Sequence, residues 1–206
     1  MKLVLSSCDF LEAAPRRVIL ENLPKPPEDC RVLFIPNEHA TPENLKNDMY
    51  NRRLRQKGFK RNNVCVFDHT RPRDFFGLPL DLVYISGGNT FLTIEKLRKT
   101  GFDRELLRLV RAGVLYVGGS AGAHIVTADL RHLVRYDAPP DGFADFSGLG
   151  LVDFILVCHF GPDRAAHFEE LKKTSPRQVF ALGNSDSIVF SDGNVAVFRG
   201  EKEEPQ

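Results

Sequence analysis

Paired cysteines are missing from this chain. Its four cysteines, Cys8, Cys30, Cys65 and Cys158, stand far apart with no Cys-x-x-Cys unit. That excludes a zinc site built on paired ligands and a disulfide framework of the kind that staples small secreted domains. They read as reduced thiols packed as small hydrophobes. A charge excess is missing too: 28 Lys and Arg against 27 Asp and Glu leave +1, which gives no argument for nucleic acid or an anionic membrane as partner. The run Arg52-Arg53-Leu54-Arg55-Gln56-Lys57 reads as a solvated helix face. Long apolar runs are also absent. Leu3-Val4-Leu5 is too short for a signal peptide, and nothing reaches the length of a membrane span. An intracellular, cytoplasmic protein is expected. Two nucleotide motifs fail as well, since there is no Gly-Lys-Ser/Thr and no Gly two residues before Gly119.

The 206 residues, 42% hydrophobic and 27% charged, are enough for one domain with a sizeable core, expected over residues 1–200 with 201–206 as a loose end. Apolar runs predict strands at Lys2–Ser6, Arg31–Ile35, Asn63–Phe67, Leu82–Ile85, Gly113–Val117 and Leu151–Val157. Helical spacing predicts helices from Thr41 to Lys57, Asn89 to Lys99, Phe102 to Ala112, Ala121 to Leu130 and Asp163 to Lys173. A loop runs from Arg131 to Gly150. The tail reads as strands at Gln178–Leu182, Ser187–Phe190 and Asn194–Phe198, with Ser191-Asp192-Gly193-Asn194 as a hairpin turn. Continuous apolar strands alternating with amphipathic helices predict an α/β fold, a mostly parallel sheet with helices on both faces. Ligands of such sheets bind beyond the carboxyl ends of the strands.

One such end carries Gly118-Gly119-Ser120-Ala121-Gly122 between a strand and a helix, a Gly-x-Ser-x-Gly nucleophile elbow after a central strand. A sharp, strained turn there holds the serine oxygen out of the chain and aims the Ala121 N–H at a nascent oxyanion. A second end carries Ser86-Gly87-Gly88-Asn89-Thr90. Gly88 could offer the other oxyanion donor there, with Asn89 or Thr90 capping the helix that follows. A serine needs a base. Among His39, His69, His124, His132, His159 and His167, His159 is best placed, at the exit of an apolar strand, while His124 lies one turn along the elbow helix. A base needs an orienting acid. Asp137 would complete a Ser–Asp–His order, with Asp141, Asp145, Asp163 and Asp186 as rivals. The loops Asp68–Asp74 and Asp137–Phe146 are expected to bound the crevice. Arg71, Arg73, Arg131, Arg135 and Arg164 are candidates for gripping a substrate carboxylate.

Ile85-Ser86-Gly87-Gly88-Asn89-Thr90-Phe91, Gly118–Ala123 and Leu149-Gly150-Leu151-Val152-Asp153 leading to His159-Phe160 together resemble the dipeptidase E (α-aspartyl dipeptidase) family of serine peptidases, related to cyanophycinase, over roughly residues 30 to 200. The resemblance implies a class I glutamine amidotransferase-like fold, with Ser120 as nucleophile, His159 as base and an oxyanion hole near Gly88 and Ala121. It implies cleavage of short peptides, in some members with an N-terminal aspartate, without metal or cofactor. The segment Gly161–Ala165 is short beside the corresponding loop of the aspartyl dipeptidases. An esterase or amidase acting on a small acyl group, or a binding protein that keeps the fold, would share most of these features. Monomer and homodimer are equally open.

Overall fold

A strand that is apolar at every position has no face to give to water and must be covered on both sides. The computed structural model describes residues 1–37, 40–46 and 48–200, and it arranges nine strands: β1 (Lys2–Ser6), β2 (Val32–Ile35), β3 (Val64–Val66), β4 (Leu82–Ile85), β5 (Leu115–Gly119), β6 (Phe154–Val157), β7 (Gln178–Ala181), β8 (Ser187–Ser191) and β9 (Asn194–Phe198). Seven form one sheet in the order β3-β2-β4-β5-β1-β8-β9. Its first five strands are mutually parallel, and β8 and β9 close that edge antiparallel. β6 and β7 pair parallel to each other in a separate two-stranded sheet.

Alternation sends neighbouring side chains to opposite faces, and both faces are buried. Leu3, Leu5, Leu33, Ile35, Val83, Ile85 and Tyr116 enter one core; Val4, Val32, Phe34, Leu82, Tyr84, Leu115 and Val117 enter the other. The second core is covered by α1 (Ala13–Asn22), through Val18 and Ile19, and by α3 (Met49–Arg55), through Tyr50 and Leu54, with α2 (Pro42–Lys46) preceding α3. The first is covered by α4 (Thr90–Thr100) and α5 (Phe102–Arg111). Phe102, Leu106, Leu109 and Val110 line the buried stripe of α5. Gly101, at φ 71°, is the joint between these two helices, a left-handed position that favours glycine. The chain continues through α6 (Ala121–His124) and α7 (Pro162–Thr174).

Several expectations are corrected. The single helix from Thr41 to Lys57 is two, because Asp48 adopts φ 62° immediately before α3. The elbow helix ends at His124 rather than Leu130. The carbonyls of Ile125 and Val126 accept from Leu149 and Leu151 N–H, so the returning chain takes the bonds that a longer helix would use. Helix α1 was not foreseen; its proline, Pro15, falls in the first turn, where no intrahelical N–H is lost. The strand placed at Leu151–Val157 begins only at Phe154 and leaves the main sheet. The Asp192-Gly193 hairpin is as expected, with φ values of 48° and 88°, the signs a type I′ turn requires. The 201–206 end lies outside the described residues.

Candidate active site

Ser120 stands between β5 and α6 with φ 48° and ψ −107°, a strained conformation for a residue with a Cβ. Contacts on every side hold it there. Ser120 N–H donates to Ser6 O of the neighbouring strand at 2.8 Å. Tyr116 Oη donates to Gly122 O at 2.5 Å, bracing the turn from below. A Cβ on Gly118 would meet Gly122 O at 2.5 Å, and one on Gly119 would overlap the buried Asp9 side chain. The glycines are therefore a matter of space as well as of dihedral freedom. Asp9 is itself at φ 41° and buried, which pushes its carboxyl above the usual range.

His159 follows β6 and faces Ser120. Its Nε2 lies 2.8 Å from Ser120 Oγ, and its Nδ1 lies 2.9 Å from Asn184 Oδ1. An amide oxygen at Nδ1 requires the ring proton there, which leaves Nε2 free to accept from the serine hydroxyl. The thiol of Cys8 lies 3.9 Å from Nδ1. The group at His159 Nδ1 is therefore a neutral amide on the loop after β7.

Asp137 is elsewhere. Its Oδ2 accepts from Thr90 N–H at 2.8 Å, satisfying a donor that the first turn of α4 leaves without an intrahelical partner. Of its rivals, Asp186 accepts from Gly183 N–H and pairs with Arg199. Asp145 is held by Ser147 and Arg98, and Asp163 lies near Arg164. Sequence reasoning came within two residues of Asn184 through Asp186 but sought a carboxylate. The usable signal was position: Gly183-Asn184 leaves β7, the strand beside the one that carries His159.

Ala121 is the first residue of α6, so its N–H has no intrahelical acceptor. A Cβ on Gly87 would lie 3.2 Å from Ser120 Cβ, which brings the Gly87-Gly88 turn against Ser120; Gly88 has φ 151°. Asn89 caps α4 by accepting from Leu92 N–H at 3.0 Å, a contribution of about 1 kcal/mol.

The other histidines divide. His69 lines a small cavity beside Lys96, and His39 lies outside the described residues. His124, His132 and His167 form a chain behind the elbow, with ring centroids 6.4 Å and 5.6 Å apart. Burial holds His124 well below its usual pKa. Burial, with His167 adding to it, lowers His132 to about 4. Neutral His124 accepts from Cys158 N–H through Nε2 at 3.4 Å. Among the described residues no group of three or more His, Cys, Asp or Glu has metal-binding geometry, and no helix is long and apolar enough to cross a membrane.

Two cavities flank the pair. One of about 290 Å³ lies on the Gly87 side, lined by Asp9, Tyr50, Arg53, Lys57, Tyr84 and Ser86 among others. One of about 720 Å³ lies beyond Asn184, lined by Phe160, Pro162, Ala165, Gly183 and Arg199 among others. Neither is bounded by the Asp68–Asp74 or Asp137–Phe146 loops. Most of the candidate arginines have partners: Arg71 with Asp68 and Asp74, Arg131 with Asp129, Arg135 with Glu170. Arg164 binds the Cys158 carbonyl.

The model of peptidase family S51 matches residues 3–198. An uncharacterized peptidase of Listeria innocua, Lin0382, is 37% identical over 82 residues, 39% of each chain. Another from Listeria monocytogenes, Lmo0363, is 29% identical over 127 residues, 58% of this chain and 60% of its own. The alignments thus span about two-fifths to three-fifths of these curated relatives. Peptidase E of Shewanella amazonensis is 27% identical over 183 residues, 83% of this chain and 75% of its own. A crystal structure from Listeria monocytogenes EGD-e, named as a candidate peptidase E, superposes with a TM-score of 0.73 at 24% identity, covering 97% of this chain and 98% of that one. It shares the fold, which is class I glutamine amidotransferase-like.

Proposed function

The chain belongs to peptidase family S51, and from that premise we propose that it is a serine peptidase that hydrolyses short peptides through an acyl-enzyme at Ser120. The observation that carries this reading is the 2.8 Å approach of His159 Nε2 to the Oγ of a serine held at positive φ. His159 takes the hydroxyl proton as Oγ attacks the carbonyl carbon. The N–H groups of Ala121 and Gly88 receive the oxyanion. The imidazolium then gives its proton to the leaving amine, and water repeats the sequence on the ester. Asn184 keeps the reactive tautomer in place of a carboxylate, as the asparagine does in the Cys-His-Asn arrangement of papain-like proteases.

On this reading the acyl side of the scissile bond lies toward the Gly87 turn. The cavity there holds Arg53 and Lys57, which supports an acidic N-terminal residue as the preferred acyl group. Its volume of about 290 Å³ suits a single residue better than a chain segment. Incubation with a fluorophosphonate probe, followed by peptide mapping, tests the reading. The expected result is modification of Ser120 that disappears in Ser120→Ala, with Asp-X dipeptides cleaved faster than neutral ones. A folded protein that neither labels at Ser120 nor cleaves dipeptides would overturn it.

A further inference from the structure

His159 has φ 52°, a left-handed conformation that a residue with a Cβ keeps only where its surroundings over-determine it. That sign is set by the peptide plane joining Cys158 to His159, since turning this plane over changes ψ of Cys158 and φ of His159 together. Both polar ends of the plane are held by side chains. The Cys158 carbonyl accepts from Arg164 Nη1 at 2.7 Å, and the His159 N–H donates to Ser7 Oγ at 2.9 Å. Ser7 is fixed in turn by donating to Leu182 O at 2.8 Å. The guanidinium of Arg164 lies on the ring of Tyr136, 4.0 Å from its centroid, with a side chain only 17% exposed. The arginine is thus held between a ring and a backbone carbonyl, with its Nε buried, without a hydrogen bond and 3.7 Å from Asp163 Oδ2.

We propose that Arg164 is a positioning residue, which with Ser7 locks the 158–159 peptide plane in the orientation that brings His159 to Ser120. The proposal rests on the peptidase reading for its consequence and on geometry alone for its cause. Releasing the carbonyl lets the plane turn toward ordinary negative φ and swings the imidazole away from Oγ. A displacement of that kind costs about 10- to 100-fold in the chemical step.

The test compares Arg164→Met, Arg164→Lys and Ser7→Ala with wild type in two measurements. The first is the rate of fluorophosphonate labelling, split into its maximal rate and half-saturation. Arg164→Met and Ser7→Ala should each lose about 10-fold or more in maximal rate with half-saturation within about twofold. Arg164→Lys, which keeps one donor, should recover part of the loss. The second is the side-chain ¹⁵N spectrum of histidine-labelled protein, with His159 assigned by its loss in His159→Gln. Wild type should show widely separated Nδ1 and Nε2 resonances of one tautomer, and Arg164→Met should show them drawn together. Folded Arg164→Met and Ser7→Ala proteins with wild-type labelling, or an unchanged His159 spectrum in both, would overturn the proposal. If wild type itself does not label, the peptidase reading fails, and the spectrum alone decides the role of Arg164.

Discussion

Replacing Asn184 gives the sharpest measure of how this site activates its serine. Asn184 Oδ1 is 2.9 Å from His159 Nδ1, a neutral hydrogen bond worth about 1 kcal/mol net, or about fivefold in rate. Asn184→Ala also frees the ring tautomer and its orientation, which extends the expected loss to about 10- to 30-fold. That is far less than the roughly 10⁴-fold seen where a charged orienter is lost. Asn184→Asp works in the opposite direction. A carboxylate at the same position favours the imidazolium, the protonated form of the ring. Because a protonated ring cannot accept from Ser120, the acid limb of the pH profile should move to higher pH. Asp186 lines the same cavity but is neutralised by Arg199 at 2.6 Å, so the new charge meets limited repulsion. The assay is the second-order rate constant of fluorophosphonate inactivation between about pH 5 and 9, the range in which a histidine titrates. An Asn184→Ala protein within twofold of wild type, together with an unmoved acid limb in Asn184→Asp, would refute the assignment.

Three further outcomes follow from the geometry. Asp137→Ala removes the acceptor for Thr90 N–H and should lower unfolding free energy by about 1 kcal/mol while labelling of Ser120 persists; loss of labelling in a folded protein would return Asp137 to the catalytic machinery. Gly119→Ala forces a methyl onto Asp9 and should destabilise by about 1 to 3 kcal/mol, measured by urea unfolding. Burial lowers His132 to about 4, so the folded state favours its neutral form. The stability this gives is complete above about pH 6.5, the unfolded value, and is lost as pH falls toward 4. The loss approaches about 3 kcal/mol. Urea midpoints at pH 7 and 4.5 should therefore converge in His132→Phe relative to wild type, and equal pH dependence in both proteins would contradict this.

The main sheet was legible because its physics is local. Val32–Ile35 and Leu82–Ile85 are apolar at every position, and that pattern has few solutions besides a strand covered twice. The elbow was legible because Gly118, Gly119 and Gly122 stand where only glycine has room. The groups that complete the site were hidden for the opposite reason. Asn184 and Ser7 act on His159 from 25 and 152 residues away in sequence, and Arg164, though near in sequence, acts through the Cys158 carbonyl rather than on the ring. Asp137 misled because its sequence order fitted the expected triad, whereas helix α4 had an orphan N–H to satisfy nearer by. The shortened α6 was equally invisible, since the chain that ends it arrives from residues 148–152.

Ser120 follows a strand of the seven-stranded sheet, and His159 follows a strand of the two-stranded one. Their 2.8 Å contact therefore measures a fit between two separately framed platforms, like a latch whose bolt and keeper are mounted on different panels. A slip of the smaller platform by a fraction of an ångström would open the latch while leaving every ladder in both sheets intact. Warming or mild denaturant should consequently silence Ser120 before the circular dichroism of the fold changes, because the alignment draws on less stability than the sheets do.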